Sequence, residues 1–293
     1  MLISVVIPVF NAEKYLRQAL RSALEQTLPP HEIIVVDDGS SDSSREIAAS
    51  FGSAVTCLTQ QHKGCSAARN LATKRSTGDW IAFLDADDYW LPDKLGRQAA
   101  VVQADPTIGL VYTGRTEISP DGTSRDVLAR QPSWVKKRLA YANPMFPTTV
   151  IAKRTLLIEN PWPESFQSSV DWWLFYRLSR VTNFAAIAEP TAVYRIHPKS
   201  LTSRDWESVL RNGEMVSQEI QKDFALPRKM LLGSRVKSRL LAHAAISARE
   251  QGSPEFLKYI VKSLISWPFP DIWPARYKIF LKMLTQKIQG AKT

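Results

Sequence analysis

The chain has 293 residues, 44% hydrophobic and 23% charged, with two cysteines and a formal net charge of +10. That composition excludes a disordered or collagen-like chain and a disulfide framework. It leaves room for one large α/β domain with a smaller appendage.

In chain order, Ile3–Val9 predicts a strand, and the spacing of Tyr15, Leu16, Ala19, Leu20, Ala23 and Leu24 predicts a helix over 13–26. Strand 32–37, a helix near 43–51, strand 55–59 and a helix over 65–74 follow. Strand 79–84, a helix over 93–103 and strand 109–114 close the series. Repeated β-α-β units with near-continuous apolar strands predict a parallel sheet covered on both faces, with ligands beyond its C-terminal edge. Past residue 115 the pattern changes. Pro120-Asp121-Gly122 predicts a hairpin, 148–152 and 192–196 read as strands, and 170–181 reads as a helix. From residue 205 onward the chain reads as mainly helical, broken by Pro227, Pro254 and the 268–274 stretch.

Cys57 and Cys65 stand in no metal-ligand spacing, so a reducing compartment is the simplest account. The opening residues run straight into a strand with no basic leader, and no stretch of 18 apolar residues occurs. The expectation is a cytoplasmic protein. The charge is uneven: from Arg228 onward thirteen Lys and Arg face three acids, so the first 227 residues are formally neutral. A basic tail of that kind meets something anionic.

The most informative residues are Asp85-Ala86-Asp87-Asp88, at the end of the apolar run Trp80–Leu84. Carboxylates this close repel and raise each other's pKa. A divalent cation relieves the repulsion, and oxygen ligands favour Mg²⁺ or Mn²⁺ over zinc. Such a cation is a seat for a diphosphate. The same residues also suit a solvated acidic turn in which Asp88 or Asp93 caps the next helix. Asp37-Asp38-Gly39-Ser40 ends the second strand, where a carboxylate can accept a pyrimidine imide N–H; an Asp-Gly turn explains it equally. Pro8-Val9-Phe10-Asn11 ends the first strand, with Phe10 available to stack on a base or to join the core. Gly64–Asn70 opens the third helix, where Arg69 can offer a fork to a nucleotide or its phosphates, or simply lie at the surface. The segment is no GxGxxG fingerprint, which disfavours a dinucleotide site. Asp171 precedes Trp172-Trp173, an acid at a helix start that serves either the helix dipole or proton abstraction beside an aromatic wall. Arg195-Ile196-His197 follows a predicted strand, where His197 is either an ordinary surface or core residue or a contact to a diphosphate or the metal.

Together these motifs resemble family 2 glycosyltransferases of the GT-A fold. The landmarks are Ser4–Asn11, Ile34–Asp42, Gly64-x-Ser66-x-Ala68-Arg69-Asn70 and Phe83–Asp88, with Asp171 and Tyr194–His197 matching more loosely. The resemblance spans about residues 1–200. It implies an α/β GT-A domain over 1–204, with a nucleotide-sugar half (1–115) and an acceptor half (116–204), followed by a basic helical region over 205–293. It also implies inverting, metal-dependent transfer from a nucleotide-diphospho-sugar to a glycan or lipid-linked acceptor, as in cell-surface polysaccharide synthesis. In that scheme Asp38 reads the base, most simply uracil, beside Pro8 and Phe10. Arg69 and Asp85 serve the nucleotide side, and Asp87, Asp88 and His197 hold Mn²⁺ or Mg²⁺. Arg195, Trp172 and Trp173 contact diphosphate or acceptor. Asp171 is the base, although the family's Glu-Asp pair reads Val170-Asp171 here.

The tail places Phe256, Leu257, Ile260, Val261, Leu264 and Ile265, and then Tyr277, Phe280, Leu281, Leu284 and Ile288, on helical faces opposite lysines. Trp267 and Trp273 lie between these stretches. Such helices suit an anionic membrane surface, here the cytoplasmic face of the inner membrane, or equally an ordinary packed subdomain. Two other readings are a catalytically inactive GT-A binding module and a nucleic-acid-binding protein. The intact acidic cluster opposes the first. Confinement of the charge to the tail, without an aromatic-basic RNA motif, opposes the second.

Overall fold

A computed structural model of the chain describes residues 1–197, 206–250, 252–253 and 255–268. The described chain forms two compact units. The first is Met1–Leu139 with Asn143–His197; the second takes in Ala140–Ala142 and the described residues after His197.

The first unit is built on a nine-stranded sheet of β1 (Ile3–Val9), β2 (Glu32–Asp37), β3 (Thr56–Thr59), β4 (Trp80–Phe83), β5 (Tyr89–Trp90), β6 (Ile108–Ile118), β7 (Ser124–Val127), β8 (Val150–Lys153) and β9 (Asn183–Arg195). The strand order is β3-β2-β1-β4-β8-β6-β9-β5, with β7 on the far end of β6. Strands β3, β2, β1 and β4 are parallel, as their uninterrupted apolar runs predict. Their side chains are buried throughout β1 and β4 except for a half-buried Pro8. Helices α1 (Leu16–Leu24), α2 (Ser44–Ala49), α3 (Cys65–Arg75) and α4 (Lys94–Ala104) follow these strands and α5 (Pro132–Leu139), α6 (Arg154–Glu159) and α7 (Val170–Val181) come later.

Beyond β4 the mostly parallel sheet takes antiparallel neighbours. Strand β8 inserts antiparallel between β4 and β6, so β6 does not extend the parallel series. The four residues of β8 follow a 3-10 turn at Pro147–Thr149, so Thr148 lies outside the strand assigned to it. Strand β9 runs thirteen residues rather than five, parallel to β6 with register shifts near Pro190 that hide its period. Its end pairs antiparallel with β5. That pairing carries Arg195–His197 back to the acidic turn.

The second unit holds α8 (Trp206–Gln221), α9 (Arg228–Glu250) and α10 (Phe256–Ser266). Leu241, Ala244, Ala245 and Ala248 of α9 pack on Tyr259 and Ile260 of α10. Ser238 and Ser263 lock the pair, each hydroxyl donating to the other's carbonyl at 2.7 Å. Among the described residues no helix is long and apolar enough to cross a membrane. The helix expected over 276–288 and Trp273 lie outside the described residues.

Candidate active site

The C-terminal ends of β1, β2, β3 and β4 share one edge of the sheet, and the loops that leave them are tied to each other. Asn11, at φ 51°, turns its side chain to the Ser41 amide (2.9 Å), while Ser40 Oγ accepts from the Asn11 amide (3.0 Å). Asn11 thus joins the β1 loop to the β2 loop rather than capping α1. Asp37 is spent on structure, forming a two-nitrogen ion pair with Arg45 and accepting from the Ser40 amide. Burial opposes its ionisation, but these hydrogen bonds and Arg45 hold its carboxyl below the ordinary carboxylate value.

Asp38 is 3% exposed and organises the loop after β3. It accepts from Gln60 Nε2 (2.7 Å), the Lys63 amide (2.7 Å) and the Gly64 amide (2.8 Å). Gly64 starts α3 at φ 89° and ψ 165°, a region for which glycine is suited. Phe10 is 42% exposed and lies 4.3 Å from the His62 ring. Pro8 is half-buried in β1 opposite Val36. A cavity of about 420 Å³ borders the same loop, lined by Gln60, Lys63, Asn70, Lys74 and Glu164 among others.

Arg69 is 5% exposed, so it meets the site from within rather than as a surface fork. Its Nη2 donates to Asp85 Oδ1 at 2.6 Å, and its guanidinium lies 4.4 Å from the Trp162 ring centre. Burial disfavours its charge, but Asp85, and more weakly Asp171, raise its pKa. Asn70 pins the Trp162 segment, donating to the Trp162 carbonyl and Glu164 and accepting from the Trp162 amide. Asp85 is itself pushed upward, by burial first and by Asp87, against the pull of Arg69.

Asp87 stands on the rim with His197, its Oδ2 3.0 Å from His197 Nε2. Arg195 lies beside them between Tyr15 and Tyr89, 5.1 and 4.6 Å from their ring centres, and donates to the Asp87 carbonyl and to Gln18. The structure does not bring Asp88 to this rim. Asp88 has no exposed surface; its Oδ1 accepts from the Arg195 amide at 3.0 Å, and its Oδ2 has no partner. Burial, then Asp87 and Asp85, push its carboxyl well above the ordinary value. Its place is under the turn, holding the end of β9.

Asp171 lies in the first turn of α7, one residue into the helix and two past its N-cap Ser169, which adopts a left-handed conformation at φ 60°. Its Oδ1 accepts from the Trp172 amide (2.9 Å) and its Oδ2 from Asn143 Nδ2 (2.8 Å). Burial raises its pKa, with Arg69 opposing and Asp85 adding to the rise. Asp171 is thus electrostatically linked to the Arg69–Asp85 pair. Trp172 is not part of an acceptor wall: it is 5% exposed and its indole donates to the Leu139 carbonyl at 2.7 Å. Trp173 is half-buried, with Arg177 5.7 Å from its ring centre. Trp162, Asn143 and Gln60 carry no signal in the sequence, because their partners are distant in the chain and share no period with them.

Asp87 and His197 suit a cation that takes one carboxylate oxygen and one imidazole nitrogen. That pairing favours Mn²⁺ over Mg²⁺, which prefers oxygen alone. Among the described residues no three His, Cys, Asp or Glu side chains converge on one point. The remaining ligands of such a cation are therefore water and substrate oxygens.

The sequence model described as Glycosyl transferase family 2 matches residues 4–156. The UDP-Glc:alpha-D-GlcNAc-diphosphoundecaprenol beta-1,3-glucosyltransferase WfgD of Escherichia coli is 30% identical over 228 residues, covering 76% of this chain and 88% of WfgD. Among solved structures, S. aureus TarS 1-349 in complex with UDP superposes with a TM-score of 0.66 at 20% identity, covering 92% of this chain and 81% of that one. The mannosyltransferase PcManGT from Pyrobaculum calidifontis, in complex with GDP-Man and Mn²⁺, gives 0.60 at 19% identity, covering 98% and 86%. The family match runs through all four strand ends that build the site, and the fold agrees across nearly the whole chain. The chain is therefore a glycosyltransferase with the GT-A fold and belongs to glycosyl transferase family 2.

Proposed function

We propose that the chain transfers a sugar from a UDP-sugar, with inversion, to a hydroxyl of a lipid-linked glycan in cell-surface glycan synthesis. The donor and acceptor classes follow WfgD, whose name specifies UDP-Glc and a diphosphoundecaprenol acceptor, and TarS, which was solved with UDP. One observation carries the catalytic part: Asp171, held at the start of α7 by the Trp172 amide and Asn143, faces the Arg69–Asp85 ion pair at the acidic strand end.

In this reading Phe10 and His62 form the wall against which uracil stacks. Asp38 fixes the 60–64 loop around the base; three N–H donors meet a carboxylate that can accept about four, which leaves room for the imide N–H. Asp85 orients the ribose side, and Arg195 places positive charge beside the diphosphate. Asp87 and His197 hold the cation, which when bound neutralises charge on the leaving diphosphate. Asp171 takes the proton from the acceptor hydroxyl as that oxygen attacks the anomeric carbon from the face opposite the diphosphate. Trp173 is the aromatic left to flank the acceptor.

We place the enzyme at an anionic membrane surface through α10. Its residues Leu257, Val261 and Ile265 form an exposed stripe, 39%, 39% and 76% exposed, flanked by exposed Lys258 and Lys262.

The functional test is release of UDP from a panel of UDP-sugars with Mn²⁺, with and without a synthetic diphospholipid-linked sugar acceptor. The reading predicts one preferred donor and acceptor-stimulated release. Release that the acceptor never stimulates, for any donor, contradicts it.

A further inference from the structure

We infer that Asn143 is a positioning residue for Asp171, holding its carboxylate in the orientation and charge state that accept a proton. The inference rests on Asp171 being the base and goes beyond that assignment.

The geometry fixes the direction of the hydrogen bond. Asn143 Oδ1 accepts from the Met145 amide at 3.1 Å, so the other end of the side-chain amide, the Nδ2 donor, must face Asp171. A reversed amide would set two oxygens against each other at one end and two donors at the other. Asn143 precedes Pro144, which confines its backbone to extended conformations and stiffens the donor's base. The same short segment grips α7 a second time, where the Leu139 carbonyl accepts from the Trp172 indole. The start of α7 is thus clamped at two successive residues, 171 and 172, by residues 139 and 143. The charged groups facing Asp171 are Arg69 from α3 and Asp85 beyond β4. Arg69 is already committed to Asp85. A neutral donor on Oδ2 therefore favours the carboxylate without adding a competing charge.

The test uses the full-length enzyme without metal and reads the ¹³C titration of the Asp171 side-chain carboxyl, identified by its loss in Asp171→Asn. Two variants separate this bond from local packing. Asn143→Leu removes both donor and acceptor at similar size. Asn143→Ser keeps a hydroxyl that can accept from the Met145 amide, is too short to reach Asp171 and adds no charge. Both are expected to raise the Asp171 midpoint by about one pH unit. With Mn²⁺ restored, UDP release from UDP-glucose, with water as acceptor, should fall on the order of 10- to 100-fold in kcat with little change in donor KM. A wild-type midpoint in either folded variant overturns the inference, even if its melting temperature falls, because that pattern marks a purely structural role. If one variant does not fold, the other carries the same measurement. Failure of the underlying reading is distinguishable: Asp171→Asn would then release UDP at a near-normal rate, whatever the Asn143 variants show.

Discussion

At the acidic turn, Asp88 carries a fully buried carboxylate with one oxygen on the Arg195 amide and the other without a partner. Its folded-state pKa lies well above the ordinary 3.8, chiefly through burial. The folded chain therefore keeps this proton to higher pH than the unfolded chain. The stability it contributes is full below the unfolded value and is lost as pH rises through the folded one. Asp88→Asn abolishes that loss. In metal-free buffer, the difference in melting temperature between variant and wild type should shift in favour of the variant from pH 5 to pH 7; a constant difference would contradict the assignment. Asp171 is raised in the same direction, so transfer should fail as pH drops through its elevated pKa. Asp171→Asn should cut kcat about 10²- to 10⁴-fold while UDP still raises the melting temperature. Asp85, Asp87 and Asp88 were legible because three carboxylates in four positions demand a physical reason. Their separate roles were not, since a strand-end turn sends alternate side chains to the rim and beneath it. Asn143 was illegible because it meets Asp171 across 28 positions with no motif joining them.

The elements that read correctly are those whose surroundings are uniform. Strands β1, β2 and β4 are buried on both faces, so their apolar runs are unbroken, and α7 falls over 170–181 as its spacing predicts. The elements that read poorly are set by partners elsewhere. Strand β8 is four residues long and owes its place to β4 and β6, while β5 is only two residues and exists by pairing with β9. These pairings decide where Arg195 and His197 arrive, which no local pattern in the sequence records. Helix α3 is anchored at its start by the strand end beside it. Seven of its residues are buried, and Asp38 grips the amides of Lys63 and Gly64 at its start. Gly64→Ala forces a β-carbon into a glycine conformation and should cost about 1–3 kcal/mol. Urea unfolding should register that loss, together with weaker UDP binding as the 60–64 loop shifts. Unchanged stability would mean the loop relaxes without strain.

Across the molecule, chemistry and charge are segregated: the aspartates and their partners belong to the first unit, and the excess of Lys and Arg falls after Arg228. The proposed membrane role belongs to α10 of the second unit, whose Tyr259 and Ile260 are spent on its own core while Leu257, Val261 and Ile265 are not. The protein should sediment with phosphatidylglycerol vesicles and not with phosphatidylcholine vesicles, and Val261→Glu with Ile265→Glu should release it. Equal retention of wild type and double variant would place the contact elsewhere. The account as a whole turns on what the acidic strand end holds. Crystals soaked with UDP and MnCl₂ and measured at the manganese absorption edge test this most directly. One anomalous peak is expected within coordination distance of Asp87 and His197, next to the diphosphate. A diphosphate bound with no peak there, or a peak at other side chains, would contradict it.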